Sequence, residues 1–112
     1  MSARSETVLW VTQRASAAVL ALCVVVHLAT MIYAIQGGLT AAEILGRTRG
    51  NLGWLAFYTV FVAAMAVHAP IGLRPVLGEW FGWRGGSRDL CLSALALGLA
   101  ILGMRAVLGV FG

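Results

Sequence analysis

Charge is scarce in this chain. Asp, Glu, Lys and Arg make up 11% of its residues, where a soluble domain carries roughly 25%. That scarcity excludes an ordinary water-exposed globular surface. Lysine is absent, so all eight basic residues are arginine. They stand singly at the ends of apolar runs and never gather on one face, which excludes nucleic acid as a partner and suits membrane-flanking charge. Cysteine is limited to Cys23 and Cys91, both inside apolar segments and without C-x-x-C spacing. A disulfide framework and a zinc site are therefore unsupported, and both thiols read as small buried hydrophobes. The opening MSARSETVLW has no basic n-region, short apolar core or small-residue cleavage site, so the first apolar stretch is expected to stay as a mature helix. There is no phosphate loop and no nucleophile–base constellation. Nor is there a soluble domain to hold a flavin or an iron–sulfur cluster. Any handling of electrons needs further centres on partner chains.

Apolar sequence fills the space that charge leaves, at 61% of 112 residues. A hydrocarbon core of about 30 Å needs roughly 20 helical residues to cross it, and three stretches are that long. They run from about Ala15 (or nearer Trp10) to Ile35, from about Asn51 to Leu73, and from about Leu90 to Phe111. Three strands cannot close a barrel, and lipid satisfies no backbone groups. The expected fold is an all-α integral membrane bundle of three transmembrane helices forming one domain over residues 1–112. Gly37-Gly38 is expected to stop the first helix, and Thr40–Leu45 to form a short interfacial helical turn. In the second connection, RPVLGEWFGWRGGSRD, Trp80, Phe81 and Trp83 resemble an aromatic belt. The third run is rich in small residues (Ser93, Ala94, Ala96, Gly98, Ala100, Gly103), which favours close helix contact. Arginines number five at the N-terminal and second-loop side and three on the other. This balance places the N-terminus in the cytoplasm.

Ionisable and polar residues inside such runs are the functional candidates. His68 sits past the middle of the second helix, and neutral imidazole is a good axial ligand for haem iron. Gly72, four residues on, lies on the same face and leaves room for a flat macrocycle. Arg74 at the helix end suits propionates or headgroups, and Pro70 removes the donor to the Ala66 carbonyl. Two readings of His68 stand: an axial ligand, or a histidine hydrogen-bonded to a neighbouring helix. Gln13, Arg14 and Ser16 cluster at the cytoplasmic start of the first helix, where a carbonyl-bearing lipid-soluble ligand would find donors. The alternative there is a membrane-edge arginine beside a small packing residue. His27 lies toward the outer side, at a different depth from His68, so the two are poorly placed to share one iron. Its plain reading is an interhelical hydrogen bond. Arg105 is a snorkelling residue. Phe57, Phe61 and Met65 read as packing, and Tyr33 and Tyr58 as interfacial or packing residues.

Q-R-A-S-A at residues 13–17 and H-A-P-I-G-L-R-P at 68–75 resemble two motifs of the membrane-anchor cytochrome b subunit of succinate dehydrogenase and fumarate reductase, respiratory complex II. In that family H-R-x-S-G opens the first helix and H-x-x-x-G-x-R-H closes the second. The resemblance extends over nearly the whole chain in helix number, motif position and loop length. It implies that His68 is an axial ligand of haem b, with Arg74 near a propionate and Gly72 in the haem surroundings. Arg14, with Gln13 and Ser16 beside it, would lie at the ubiquinone pocket. It also implies a flavoprotein subunit and an iron–sulfur subunit docked on the cytoplasmic side of a bacterial inner membrane. Electrons would pass from succinate through flavin and iron–sulfur clusters to the quinone, and a second membrane-anchor subunit would supply the other axial histidine. Two-haem members use histidines on the first two helices for different haems, so His27 would be the ligand of a second haem if there is one. The chain departs from the pattern at Gln13, Ala17 and Pro75, where the family has His, Gly and His. It departs again at Trp10, where the family has a quinone-site serine. Two other readings remain open on the sequence: a haem-free structural anchor of a fumarate reductase-like complex, and an unrelated small membrane transporter or assembly protein.

Overall fold

The computed structural model describes residues 2–112 as four helices: α1 (Ala3–Gly37), α2 (Ala41–Thr48), α3 (Leu52–Phe81) and α4 (Gly86–Phe111). Each of the first three begins on a side chain that accepts from an otherwise unpaired backbone N–H. The Ser2 hydroxyl accepts from Ser5 at 3.2 Å, the Thr40 hydroxyl from Glu43 at 3.2 Å and Asn51 Oδ1 from Trp54 at 3.1 Å. Gly82, in the left-handed region at φ 64, ends α3, and the Trp83 N–H reaches back to the Leu77 carbonyl at 3.0 Å. The Leu77 carbonyl thereby gains a partner beyond the end of the helix.

Three of the helices, α1, α3 and α4, are long and apolar enough to cross a membrane. Their bounds differ from the sequence expectation in an instructive way. α1 begins at Ala3, a dozen residues before the apolar run, because the Ser2 cap and good helix formers carry the helix out through its polar end. α3 does not stop at Leu73. It runs through Pro70 and Pro75 to Phe81, so Arg74–Phe81, expected as connection, is helix. A proline costs the helix one hydrogen bond, at the carbonyl four residues back, but any non-helical path at that depth would strip several backbone groups at once. α4 starts at Gly86, four residues before the expected Leu90, and the turn expected at Thr40–Leu45 is a helix of two turns.

α3 is the middle of the molecule. α1 and α4 each pack against it, in the opposite direction to it, and make at most marginal contact with each other. Small residues make these contacts close: Ala64, Ala66, Pro70 and Gly78 are the buried positions of α3. The small-residue stripe of α4 divides. A methyl group placed on Gly103 would lie 2.6 Å from Val62 Cγ1, whereas one on Gly98 would meet nothing within 4 Å. Of these two glycines, Gly103 is the one spent on helix contact.

α2 lies across the two C-terminal ends that share its side of the molecule. Arg47 Nη2 donates to the Gly38 carbonyl at 3.1 Å, which places a cation at the negative end of α1. The Thr48 hydroxyl donates to the Val110 carbonyl at 2.8 Å, and the Gly50 N–H to that of Phe111 at 2.8 Å. The clasp holds carbonyls of both helices that have no partner within their own helix. Its capping box pairs Thr40 with Glu43 in both directions, and the hydrogen bonds from the Thr40 backbone and side chain hold the Glu43 carboxyl below its ordinary value.

Two outcomes are expected. Gly103→Ala should destabilise the α3–α4 contact by about 1–3 kcal/mol, the usual cost of overpacking, while Gly98→Ala should not. Thermal unfolding of the two variants in detergent is the comparison. Because the Glu43 carboxyl is lowered by folding, its contribution is complete above the unfolded value near 4.5 and fades as the pH falls through the lower folded value. The exchange protection factors of the Glu43 and Ile44 amides, corrected for the intrinsic rate at each pH, should therefore fall on acidification below that value. In Thr40→Ala exchange should be several-fold faster at every pH.

Candidate functional site

The chain's polar interior residues fall at two levels along α3. At the level where α1 begins, antiparallel packing sets Gln13 opposite Gly72 and Ser16 opposite His68. A methyl group on Gly72 would come within 3.0 Å of Gln13 Nε2. The glycine thus lets the amide lie against the α3 backbone, and the space expected for a macrocycle edge is taken up there by Gln13. The other end of that amide, Oε1, is buried without a hydrogen-bond partner among the described residues.

Ser16 is 7% exposed, the one buried polar side chain among the described residues. Its hydroxyl donates to the Gln13 carbonyl at 3.1 Å and lies 3.3 Å from His68 Nδ1. A serine has one proton to give. With that proton on the carbonyl, the oxygen can only accept from the imidazole, so Nδ1 carries the hydrogen and Nε2 keeps a bare lone pair. Both hydrogen bonds form together only in this tautomer. It is the one in which a histidine can bind a metal through Nε2.

Beside this pair a groove of about 400 Å³ opens between α1 and the second half of α3, with Trp10, Gln13, Arg14, Gly72, Arg74 and Pro75 on its walls. Arg14 is held over the Trp10 ring, 5.4 Å from its centroid, as a cation on an aromatic face. Arg74 Nε donates to Asp89 Oδ1 at 3.3 Å, and Arg88 Nε donates to the same oxygen at 3.2 Å. Arg74 also borders a second groove of about 360 Å³ between α3 and α4. It forms the ridge between the two.

His27 is elsewhere. Its Nδ1 lies 3.3 Å from the Tyr58 hydroxyl, and its ring meets Tyr58 and Phe61 edge-on at 5.8 and 5.7 Å. It lines a largely apolar cavity of about 380 Å³ under α2, with Tyr58, Trp54 and Gly103 among the walls. Tyr58 is ten residues from His68 along α3, about 15 Å at the helical rise, so the two histidines cannot meet on one iron. No cluster of three or more His, Cys, Asp or Glu occurs among the described residues.

Gln13, Ser16, Gly72 and His68 therefore come together, Arg14 and Arg74 stand at the adjoining groove, and His27 stands apart. Two partners escaped the sequence reading. Tyr58, expected as a packing or interfacial residue, also hydrogen-bonds His27. Asp89 was passed over, yet it draws Arg74 toward α4. Alternating which helix runs up and which runs down would have paired positions 27 and 58, but the register needed for that is not written in either run. His68 would bring one imidazole to a haem, with Nδ1 held by Ser16, while the face of Gly72 beside it is filled by Gln13 and offers the macrocycle no room.

No curated protein and no solved structure matches the chain. The family model for the succinate dehydrogenase/fumarate reductase transmembrane subunit matches residues 1–111. With three membrane-length helices and a match over nearly its whole length, the chain belongs to the family of succinate dehydrogenase/fumarate reductase transmembrane subunits.

Proposed function

We propose that this multi-pass membrane protein is the haem b- and quinone-binding anchor of a succinate:quinone oxidoreductase. In this reading it takes electrons from a partner iron–sulfur subunit to ubiquinone in a bacterial cytoplasmic membrane. Family membership supports the anchor role and sets aside an unrelated transporter. The observation that carries the finer reading is the Ser16–His68 pair, which leaves Nε2 of His68 as a bare donor at the buried α1–α3 contact. Haem b, when bound, supplies a one-electron store beside the quinone. The second axial ligand comes from a second membrane-anchor subunit, because His27 is the chain's one other histidine and lies at the other level. If a second haem is present, His27 is its ligand.

The groove suits the quinone ring. Gln13 lines it and brings an amide that can donate from Nε2 to a quinone carbonyl without changing charge. Arg14, fixed by Trp10, offers a second donor. Arg74 and Arg88 both bond the carboxylate of Asp89, and guanidinium groups at this end suit propionates or an anionic headgroup. The five-to-three arginine balance supports a cytoplasmic face at this end, where flavoprotein and iron–sulfur subunits would dock.

In the purified complex, His68→Ala should abolish the reduced haem b spectrum while the flavoprotein and iron–sulfur subunits still co-purify. An unchanged spectrum would remove the central assignment. Gln13→Leu should leave haem content intact and raise the KM for quinone roughly fivefold, the worth of one neutral hydrogen bond, as read by quinone-dependent succinate oxidation.

A further inference from the structure

We infer that Ser16 is a positioning residue for His68 and not a wall of the quinone groove. It sets the tautomer and donor strength of the imidazole. The inference rests on the reading of His68 as an axial ligand and adds a role that the motif alone does not assign. Ser16 is absent from the groove walls and is buried at 7% exposure. Its proton is used on the Gln13 carbonyl and its oxygen on His68 Nδ1. No proton of it is left to donate to a ligand in the groove. Ser16 instead does what the outer partner of a metal-bound histidine does: accepting from Nδ1–H pushes electron density toward Nε2 and fixes the ring plane. The opposite arrangement, with Ser16 donating to Nδ1, would put the hydrogen on Nε2 and leave no lone pair for iron. The orientation of this one hydroxyl therefore decides whether His68 can ligate. The orientation is in turn held by the carbonyl one turn back, at Gln13, whose side chain reaches the groove.

A stronger imidazole donor favours the ferric form, so loss of the acceptor should raise the haem midpoint potential. Redox titration of the intact complex should show haem retained in Ser16→Ala with its potential shifted upward. Ser16→Thr, which keeps the hydroxyl, should return it toward the wild-type value. In parallel, imidazole ¹⁵N spectra of the haem-free full chain in lipid nanodiscs should show His68 as the Nδ1–H tautomer in wild type and as a mixture in Ser16→Ala. A Ser16→Ala complex with unchanged potential and an unchanged tautomer would overturn the role of Ser16 while leaving His68 as the ligand. A wild-type complex with no haem would overturn the ligand reading itself, whatever the spectra show of the pair.

Discussion

Hydrocarbon offers no hydrogen-bond partner, and each polar atom that this chain carries into it has to be met by another part of the chain. That constraint accounts for most of the specific contacts. Thr30 returns its hydroxyl to the Val26 carbonyl within its own turn. His27 and His68 cannot do so, and each takes a hydroxyl from across the α1–α3 contact. The α1 and α4 ends depend on donors from α2 and the residues after it. Against this background the unpartnered Gln13 Oε1 stands out, as a buried acceptor at the α1–α3 contact that no donor among the described residues meets.

The second organising fact is that α3 alone touches both other spans. A closed three-helix bundle would bury a stripe on every helix. Here the buried positions are few and mostly small, and large apolar side chains such as Leu22, Ile32, Leu97 and Leu102 face outward. In water such a surface would aggregate. In lipid it carries no penalty, because tails are as apolar as leucine, and contact comes from close packing at glycine and alanine. The middle helix consequently holds the residues on which both grooves depend, with Arg74 between them.

The three spans were legible from run length and charge scarcity alone, since lipid imposes a length on any helix that crosses it. The residues of the site were legible too, because histidine, arginine and glutamine are conspicuous in an apolar run. The outer bounds were not. The apolar run gives out near Leu73, and the cost of unpaired backbone explains why the helix continues through Pro75 to Phe81. Pairing was illegible for a related reason. Ser16 has a sequence context that suits packing, a quinone or a histidine equally well, and what decides among them is which α3 residue lies opposite. Gly72 and Gly98 make the same point. The first sits under an amide and the second faces open space, although both are glycines in apolar helices.

The two histidine–hydroxyl pairs have a consequence for how the helices find one another. Apolar side chains slide along apolar side chains in lipid with little change in energy, so α1 and α3 have no strong preference for one offset from burial alone. Ser16–His68 and His27–Tyr58 are spaced along the contact so that both form at one offset only. A shift of α1 by a single turn would break both at once and strand four polar groups in hydrocarbon. They act as registration pins, and they select one alignment out of many of nearly equal packing.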